Sequence, residues 1–348
     1  MAVGQSAFMG DRVLITGGAG FIGSHLAERL LAEGRSVTIV DDFSTGSRAN
    51  LGRVEGHPRL RVIEARVSQC ASLADLAGEA SLIYHLAAAV GVDLVVRSPI
   101  RTIETNIQET EAILAAAGRH GVPLLLTSTS EVYGKSQNEE FREEDDLLIG
   151  PPNLGRWSYA CSKLMDEFLA LAYMRERGLP VIIARVFNTV GPRQTGRYGM
   201  VLPRLIAAAR AGQPLRLFGD GLQTRCFAYV DDTVEALIRL GGCPGAWGGV
   251  FNVGSTEETT IRDLALLVKE LLKSRSELEF VPYDVAYAPG FEDMRRRRPS
   301  VDKLERLTGF RPSTPLVEII RLTAGLTRIF APRQCAGRSD VAEDRHAG

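Results

Sequence analysis

Between Arg12 and Phe187 the chain alternates two patterns of apolar and polar positions. Short, continuous apolar or β-branched runs are typical of strands buried on both faces of a parallel sheet, whereas longer stretches with apolar residues at helical spacing predict helices. Strands are predicted at Val13–Thr16, Ser36–Val40, Leu60–Ile63, Ser81–Leu86, Leu124–Ser128 and Val181–Phe187. Helices are predicted at Phe21–Glu33, Ala71–Gly78, Pro99–Arg119 and Trp157–Arg177. This alternation predicts an α/β fold with a doubly wound parallel sheet, whose ligands bind at the carboxyl ends of the strands.

After Asn188 the alternation loosens and shorter elements follow. Helices are predicted at Leu202–Ala211, Asp231–Leu240 and Thr260–Leu272, and a short strand at Leu215–Phe218. We interpret this half as a smaller α/β domain assembled from insertions, which supplies the substrate side of a site. Residues 1–10 and the polar, aperiodic stretch 331–348 are predicted to be flexible termini.

Charge and cysteine content narrow the class of protein without naming a function. The 348 residues carry 41 Lys and Arg against 42 Asp and Glu, so no excess charge favours nucleic acid or an anionic membrane. The five cysteines are odd in number and form no C-x-x-C pair, which argues against a disulfide framework and a zinc site. Neither a signal peptide nor a continuous apolar run of about 18 residues is evident. We therefore expect a soluble cytoplasmic protein without a metal.

A glycine cluster follows the first predicted strand. Gly17, Gly20 and Gly23 have the spacing G-x-x-G-x-x-G and stand between a strand and a helix. Small residues let this turn tighten and bring the backbone close to a pyrophosphate. Phe21 and Ile22 begin a helix whose free N–H groups favour negative charge. This context predicts a dinucleotide site in a Rossmann domain.

Two acidic residues end the second predicted strand, where a dinucleotide-binding domain contacts the adenosine ribose. Asp41 lies 24 residues after Gly17, and a carboxylate there can accept hydrogen bonds from both ribose hydroxyls. Asp42 is either a neighbouring adenosine contact or a turn former. Because no arginine directly follows to receive a 2′-phosphate, the sequence predicts NAD rather than NADP.

Tyr159 and Lys163 are four residues apart, which places both on one face of the helix predicted at Trp157–Arg177. A phenol with an ordinary pKa near ~10 is a poor base at neutral pH, but a nearby ammonium and a nicotinium charge both favour the phenolate. Both residues are therefore candidates for catalysis and cofactor contact. Tyr159 would remove a hydroxyl proton as hydride leaves.

The strand predicted at Leu124–Ser128 leads into Thr129, Ser130 and Glu131. A hydroxyl at this strand end can hydrogen-bond the reacting hydroxyl of a substrate and share its proton with Tyr159. Glu131 is more discriminating, because a carboxylate beside a hydride-transfer site can perform acid/base work or position a substrate carboxylate through a water. All three are candidate catalytic residues.

These motifs, together with the segment Phe187–Arg193, resemble those of the extended short-chain dehydrogenase/reductase family, which acts on nucleotide sugars. The resemblance extends from Arg12 to Leu326. Within that family the Ser-Glu-Val-Tyr-Gly segment from Ser130 resembles the UDP-glucuronate decarboxylases, and Arg156–Lys163 is similar to UDP-apiose/xylose synthase. The resemblance implies NAD-dependent oxidation of UDP-glucuronate at C4 and loss of CO₂ from the 4-keto acid. UDP-4-keto-pentose is then released or re-reduced to UDP-xylose.

The resemblance also implies contacts at further residues. It places the sugar-nucleotide diphosphate at Asn188 and Arg193, uracil near Phe218, and phosphate or ribose near Arg225. Further substrate contacts are implied at Ser130, Glu131, Tyr159, Val201 and Gln223. Further cofactor contacts are implied at Phe43, Thr45, Gly46, Val67, Leu86, Ala87, Ala88 and Thr105.

Two more arginines are singled out by the resemblance. Arg297 aligns with the decarboxylase arginine that handles the glucuronate carboxylate and the proton delivered after CO₂ loss, and it is therefore a candidate catalytic and substrate-binding residue. Arg296 and Arg298 are the alternatives if the register differs by one. Arg66 stands where the family has an acidic residue that contacts adenine, so this chain departs from the family at the adenine.

The predicted domains and assembly rest on the same element pattern and family resemblance. We assign residues 11–190 to an NAD-binding Rossmann domain, to which residues 226–257 return. Residues 191–225 and 258–330 form the nucleotide-sugar-binding domain. The helices at 99–119 and 157–177 are long and apolar on more than one face, and the resemblance implies that they pair with those of a second subunit in a homodimer.

Three other functions stay open as alternatives. A nucleotide-sugar 4-epimerase acting on UDP-glucose or UDP-glucuronate would use the same Tyr159, Lys163 and NAD but has little need of Glu131 and Arg297. A 4,6-dehydratase would have an aspartate where this chain has Ser130. A non-catalytic NAD-binding regulator would not need to keep the Tyr159 and Lys163 pair.

Overall fold

The computed structural model describes residues 10–89, 98–196, 200–286 and 294–326. Apart from Gly10, the predicted flexible termini lie outside these ranges. The strands are β1 (Arg12–Thr16), β2 (Ser36–Asp41), β3 (Leu60–Glu64), β4 (Leu82–His85), β5 (Leu124–Thr129), β6 (Val181–Val186), β7 (Thr189–Val190), β8 (Leu215–Phe218), β9 (Thr224–Cys226), β10 (Ala228–Tyr229), β11 (Val250–Val253), β12 (Glu258–Thr260) and β13 (Leu278–Val281). The helices are α1 (Phe21–Ala32), α2 (Leu73–Glu79), α3 (Pro99–His120), α4 (Trp157–Arg177), α5 (Val201–Arg210), α6 (Val230–Gly241), α7 (Ile261–Leu271), α8 (Tyr283–Ala286), α9 (Asp302–Thr308) and α10 (Leu316–Thr323).

In the described ranges a central sheet of seven parallel strands has the order β3-β2-β1-β4-β5-β6-β11. The α/β fold and its doubly wound parallel sheet are thus as predicted. The chain runs outward from β1 to β3, returns through β4, and continues to β6 on the other side, so the order reverses between β1 and β4. In sheets of this kind the crevice at that reversal is where ligands bind.

Each strand of the sheet divides its side chains between two apolar cores because successive residues face opposite sides. On β1, Val13 and Ile15 enter one core, while Leu14 enters the other. The first core also contains residues of α1 and α6, and the second contains residues of α2, α3 and α4. Both faces are therefore covered by helices, which explains why the strand sequences read as continuous apolar runs rather than as alternating ones.

The C-terminal half adds small two-stranded sheets at the carboxyl ends of the central strands. β8 pairs with β13 in parallel, β9 pairs with β12 in antiparallel, and β7 pairs with β10 in parallel. Phe218 ends β8 and Arg225 lies within β9, so both predicted substrate residues are held by this smaller assembly. Across the part of the chain that the structure describes, no helix is long and apolar enough to cross a membrane.

Candidate active site

A cavity of about 550 Å³ lies between the glycine loop, the ends of the central strands and the C-terminal assembly. Every predicted site residue lines it except Phe43 and Gly46. Both lie directly behind that wall: the Phe43 N–H donates to Asp41 Oδ1 at 2.8 Å, and a Cβ at Gly46 would lie 2.9 Å from the backbone of Ala19. The cofactor contacts implied at Phe43 and Gly46 stay predictions.

The glycine loop is packed too tightly for side chains at two of its glycines. A Cβ on Gly23 would lie 2.3 Å from the Gly17 carbonyl oxygen, and one on Gly17 would lie 2.7 Å from the Ala87 nitrogen. Gly17 also has a φ of +72°, which other residues rarely adopt. A Cβ on Gly20 would meet only the Gly17 oxygen, at 3.1 Å, so the backbone before α1 opens onto the cavity. The start of a helix bordering a cavity fits a pyrophosphate.

Asp41 is held in one orientation at the end of β2. Its Oδ2 accepts the Ala19 N–H and its Oδ1 accepts the Phe43 N–H, both at 2.8 Å. Burial raises the pKa of this carboxyl, while the two N–H groups lower it. A carboxylate with its orientation fixed from behind, and bordering the cavity, fits the two hydroxyls of an adenosine ribose.

Asp42 and Arg66 form an ion pair at the same end of the cavity, with Arg66 Nε 3.5 Å from Asp42 Oδ2. Burial opposes ionisation of Asp42, but hydrogen bonds from Ser44 and the charge of Arg66 hold its pKa below the ordinary value. The sequence identified Arg66 as a departure from the family. The structure shows that this arginine pairs with Asp42, the acidic residue directly after β2.

Tyr159 lies on the first turn of α4 and hydrogen-bonds the side chain of Thr129 at the end of β5. Burial raises the pKa of the Tyr159 phenol, and the charges of Glu131 and Asp166 raise it further, whereas the bond with Thr129 lowers it. The predicted partnership of a strand-end hydroxyl with the tyrosine is therefore present. In this environment the phenol is protonated at neutral pH unless positive charge is added.

Lys163 is 2% exposed and donates from Nζ to Asp166 Oδ2 at 2.8 Å. The sequence predicted that the ammonium favours the Tyr159 phenolate, but part of its charge is balanced by this buried carboxylate. Asp166 was not among the predicted residues. The available signal was its spacing, because an acidic residue three positions after a lysine lies on the same face of a helix.

Glu131 is bound by two arginines, one on each carboxylate oxygen. Arg297 Nη1 lies 2.7 Å from Oε1, and Arg156 Nη2 lies 3.1 Å from Oε2. Burial disfavours the charged form, but Arg297, Arg156 and Arg225 outweigh it and hold the pKa of Glu131 below its ordinary value. The sequence missed Arg156, whose signal was its position three residues before Tyr159, directly ahead of a helix.

The register of the arginine run is resolved by its ion pairs. Arg297 contacts Glu131, whereas Arg296 Nε lies 2.7 Å from Glu258 Oε1, and Arg298 Nη2 lies 3.8 Å from Glu140 Oε1. Of the three arginines, Arg297 lines the cavity and the other two do not. Arg297 is thus the member of this run that borders the cavity, and its implied contact with the glucuronate carboxylate stays a prediction.

Other predicted substrate residues are held by the protein itself. Arg193 donates to Glu28 at 2.5 Å and to the Ser24 hydroxyl at 3.0 Å, both on α1. Its implied contact with the diphosphate stays a prediction, since the guanidinium is directed to α1 here. Gln223 donates to the Phe218 carbonyl at 2.9 Å, and Arg225 donates to the Met294 carbonyl at 2.8 Å. These bonds join the loop after β8 and the segment before Arg297 into one wall.

Three remaining residues border the cavity from different sides. Asn188 follows β6 and donates to the Cys226 carbonyl at 3.4 Å, Val201 begins α5, and Ser130 is 2% exposed in the turn after β5. In the described ranges, no group of three or more His, Cys, Asp or Glu side chains could hold a metal ion.

Comparison with known proteins agrees with this geometry. The model of the NAD dependent epimerase/dehydratase family matches residues 13–254. A UDP-N-acetyl-alpha-D-glucosaminuronate decarboxylase of Bacillus cytotoxicus is 42% identical over 88% of this chain and 94% of its own length. The UDP-glucuronic acid decarboxylase 1 of Danio rerio is 39% identical over 90% of this chain and 71% of its own. The chain therefore belongs to the NAD dependent epimerase/dehydratase family, whose extended short-chain dehydrogenase/reductase fold the sequence had indicated.

Solved structures of the same fold include epimerases. The UDP-glucuronic acid 4-epimerase of Bacillus cereus, in complex with UDP-glucuronic acid and NAD, superposes with a TM-score of 0.81. It is 28% identical and covers 90% of this chain and 98% of its own. The relatives whose names state decarboxylation are thus closer in sequence than this epimerase.

Proposed function

We propose that this protein is an NAD-dependent decarboxylase of UDP-uronates, with UDP-glucuronate as the predicted substrate. The observation that carries the proposal is the Glu131 carboxylate, held between Arg156 and Arg297 beside Tyr159. Guanidinium groups in this number suit a substrate that brings its own carboxylate. The sugar ring of a neutral substrate offers them no such partner. The names of the relatives at 42% and 39% identity support the same reaction.

The first step of the proposed reaction is oxidation at C4 of the sugar. The glycine loop and Asp41 would hold NAD⁺, which would supply the hydride acceptor and a positive charge that favours the Tyr159 phenolate. Tyr159 takes the proton of the C4 hydroxyl, and Thr129 holds that hydroxyl through a hydrogen bond. Lys163, fixed by Asp166, keeps a positive charge near the phenolate. The product of this step is a ketone at C4.

The second step breaks the bond between C5 and C6. The ketone is β to the C6 carboxylate, so the electron pair of this bond moves into the C4 carbonyl as CO₂ leaves, and an enolate forms. Tyr159 and Thr129 donate hydrogen bonds where the negative charge develops. A proton then adds at C5. Because Arg156 and Arg297 keep Glu131 ionised, its carboxylate orients a water for this transfer rather than giving up its own proton.

A second candidate substrate is UDP-N-acetylglucosaminuronate. The Bacillus cytotoxicus relative, with 94% of its length matched, is named for that substrate. The two sugars share the C4 hydroxyl and the C6 carboxylate on which the proposed steps act, and they differ at C2. The same residues would therefore serve either substrate.

The test is incubation of the NAD-loaded protein with each UDP-uronate, followed by measurement of CO₂ and mass spectrometry of the nucleotide sugars. Release of CO₂ with formation of a UDP-pentose or UDP-4-keto-pentose is expected. Formation of UDP-galacturonate without CO₂ would instead assign a 4-epimerase. A protein that binds NAD and forms neither product would be a non-catalytic regulator. Either of these two results would contradict the proposal.

We also propose a homodimer through α3 and α4. Cys161, Met165 and Phe168 follow helical spacing on α4 and are exposed, Phe168 by 59% and Met165 by 54%. The exposed Ile100 lies near the start of α3, which packs along α4. A second copy of the chain, with its own α3 and α4, would cover this apolar stripe in a two-fold arrangement.

A further inference from the structure

The two arginines that bind Glu131 come from different parts of the fold. Arg156 directly precedes α4, whereas Arg297 belongs to a segment between the C-terminal assembly and α9. Both side chains are about nine-tenths buried, with 8% and 10% exposed. Each arginine contacts a different oxygen, so one can release Glu131 while the other holds it.

Arg156 is anchored to the same rigid element as the proposed base. Its guanidinium lies over the ring of Trp157 at 5.2 Å from the centroid, and Trp157 is 2% exposed. The helix that begins there is itself fixed to β6 by a buried pair, in which Arg185 Nη2 lies 2.8 Å from Glu167 Oε2. Arg156 therefore fixes Glu131 relative to α4, and with it relative to Tyr159.

The three arginines around Glu131 carry more positive charge than its single carboxylate can balance, so a second anion can bind beside it. Three guanidinium groups, those of Arg156, Arg225 and Arg297, act on the single carboxylate of Glu131. A uronate carboxylate that enters the site needs a guanidinium partner, and a bidentate pair with one arginine is the strongest form of that contact. If Arg297 turned to the substrate and no other cation held Glu131, two carboxylates would face each other in a buried site, at a high electrostatic cost.

We propose that Arg156 is a positioning residue that keeps Glu131 in place and charged while Arg297 binds the sugar carboxylate. This inference rests on the proposed decarboxylation and adds a residue that the sequence did not indicate. Arg156 acts through Glu131. Its loss affects the steps after C4 oxidation more than the binding of NAD or of the UDP moiety.

The experiment compares Arg156→Gln and Arg156→Lys with the wild type in CO₂ release from UDP-glucuronate across pH. Arg296→Gln is the matched control, since Arg296 pairs with Glu258 and does not line the cavity. Arg156→Gln is expected to lower kcat about 100-fold, because small displacements of a reacting group have effects of that size. KM changes little, and Arg156→Lys restores part of kcat by returning the charge.

The pH profile separates positioning from a merely structural role. Four titratable or charged groups surround Glu131. Three are arginines: Arg156 directly before α4, Arg225 on β9, and Arg297 in the segment before α9. The fourth is Tyr159 on α4. Losing one of these cations raises the pKa of Glu131, so the acid limb of kcat shifts to higher pH in Arg156→Gln and less in Arg156→Lys. The control, Arg296→Gln, is expected to keep the acid limb of the wild-type kcat profile.

The experiment distinguishes failure of the proposed function from failure of the inference about Arg156 alone. Absence of CO₂ release by the wild type would overturn the proposed function and this inference with it. Normal CO₂ release by the wild type, with the kcat and acid limb of Arg156→Gln equal to those of Arg296→Gln, would overturn the inference alone. If circular dichroism shows that Arg156→Gln does not fold, Arg156→Lys decides, and an unchanged kcat in that variant contradicts the proposal.

Discussion

Tyr159 has to lose its proton in a site that opposes the loss, because burial and the charges of Glu131 and Asp166 raise the pKa of its phenol. We predict that Tyr159→Phe removes nearly all C4 oxidation, by about 1,000-fold in rate, since a phenyl ring cannot accept the hydroxyl proton. NAD reduction on mixing with UDP-glucuronate measures this step. Tyr173→Phe, on the same helix and outside the cavity, is the matched control. Rapid reduction in Tyr159→Phe would remove this tyrosine from the proposed mechanism.

Glu131 affects both steps, through its charge as well as through its position. We predict that Glu131→Gln impairs CO₂ release while NAD binding is kept. The same change removes a negative charge that raises the pKa of Tyr159. The acid limb of the pH profile of C4 oxidation should therefore move to lower pH. NAD reduction measured across pH, separately from CO₂ release, checks both effects. Glu258→Gln, which alters an arginine-paired glutamate outside the cavity, should change neither, and a shift of the limb to higher pH would contradict the account.

The site residues predicted from the sequence alone have a local signature, whereas the two residues that were missed are counterions of groups buried in the folded chain. The glycine loop, Asp41, Tyr159 and Lys163 follow from spacing within one strand or helix, and all line the cavity. Arg297 required the family resemblance. Arg156 was missed because its partner Glu131 lies 25 positions away in the sequence. Asp166 was missed although its spacing from Lys163 was visible, because the need of Lys163 for a counterion depends on burial in the folded chain.

At the scale of elements, the buried His85 joins two strands and a helix. Its ring nitrogens contact Thr16 Oγ1 on β1 at 2.7 Å and Thr110 Oγ1 on α3 at 3.1 Å. Burial and the charge of Lys163 lower the pKa of His85 to about 3 from the ordinary 6.5. The folded state therefore binds this proton less readily than the unfolded state, and the protein should lose stability as the pH falls from about 6.5 toward about 3.

We predict that His85→Gln reduces this dependence of stability on pH. Thermal unfolding of the wild type, His85→Gln and His120→Gln should be compared over that range. His120 is exposed at the end of α3, so its replacement should leave the slope unchanged. The variant at His85 should show a flatter decline of Tm on the acid side, whatever its stability at neutral pH. Equal slopes in all three proteins would rule out His85 as the linked group.

The predicted elements have bounds within two residues of those in the structure, but several short elements, among them α9 and α10, were not predicted. The helix at Trp157–Arg177 and the strand at Leu215–Phe218 have the predicted bounds. β11, at Val250–Val253, was not in any predicted element, because four residues after Gly248 and Gly249 are too few to show a period. Pairing with β6 makes it a strand, and that information lies elsewhere in the chain.

At the scale of the whole molecule, the apolar stripe on α4 predicts the state of assembly. We expect the wild type to sediment as a dimer and Phe168→Glu as a monomer, because a charge buried in an apolar interface without a partner is costly. Leu266→Glu is the control, since Leu266 is an exposed apolar residue on α7, away from the proposed interface. Analytical ultracentrifugation distinguishes these states. A monomeric wild type, or a dimeric Phe168→Glu, would contradict the proposed homodimer.

The pairing of β11 with β6 also bears on how the protein is made. The sheet is completed by residues 250–253, after the chain has left it to build β8 and β9 of the C-terminal assembly. During synthesis, β6 is consequently an open sheet edge until about seventy further residues have left the ribosome, and unpaired edges promote wrong association. The central sheet is therefore completed only after β8 and β9 have been made, although β12 and β13, which pair with them, follow later. A truncated chain that ends near residue 190 would keep the dinucleotide motif and still lack the edge strand that closes its own sheet.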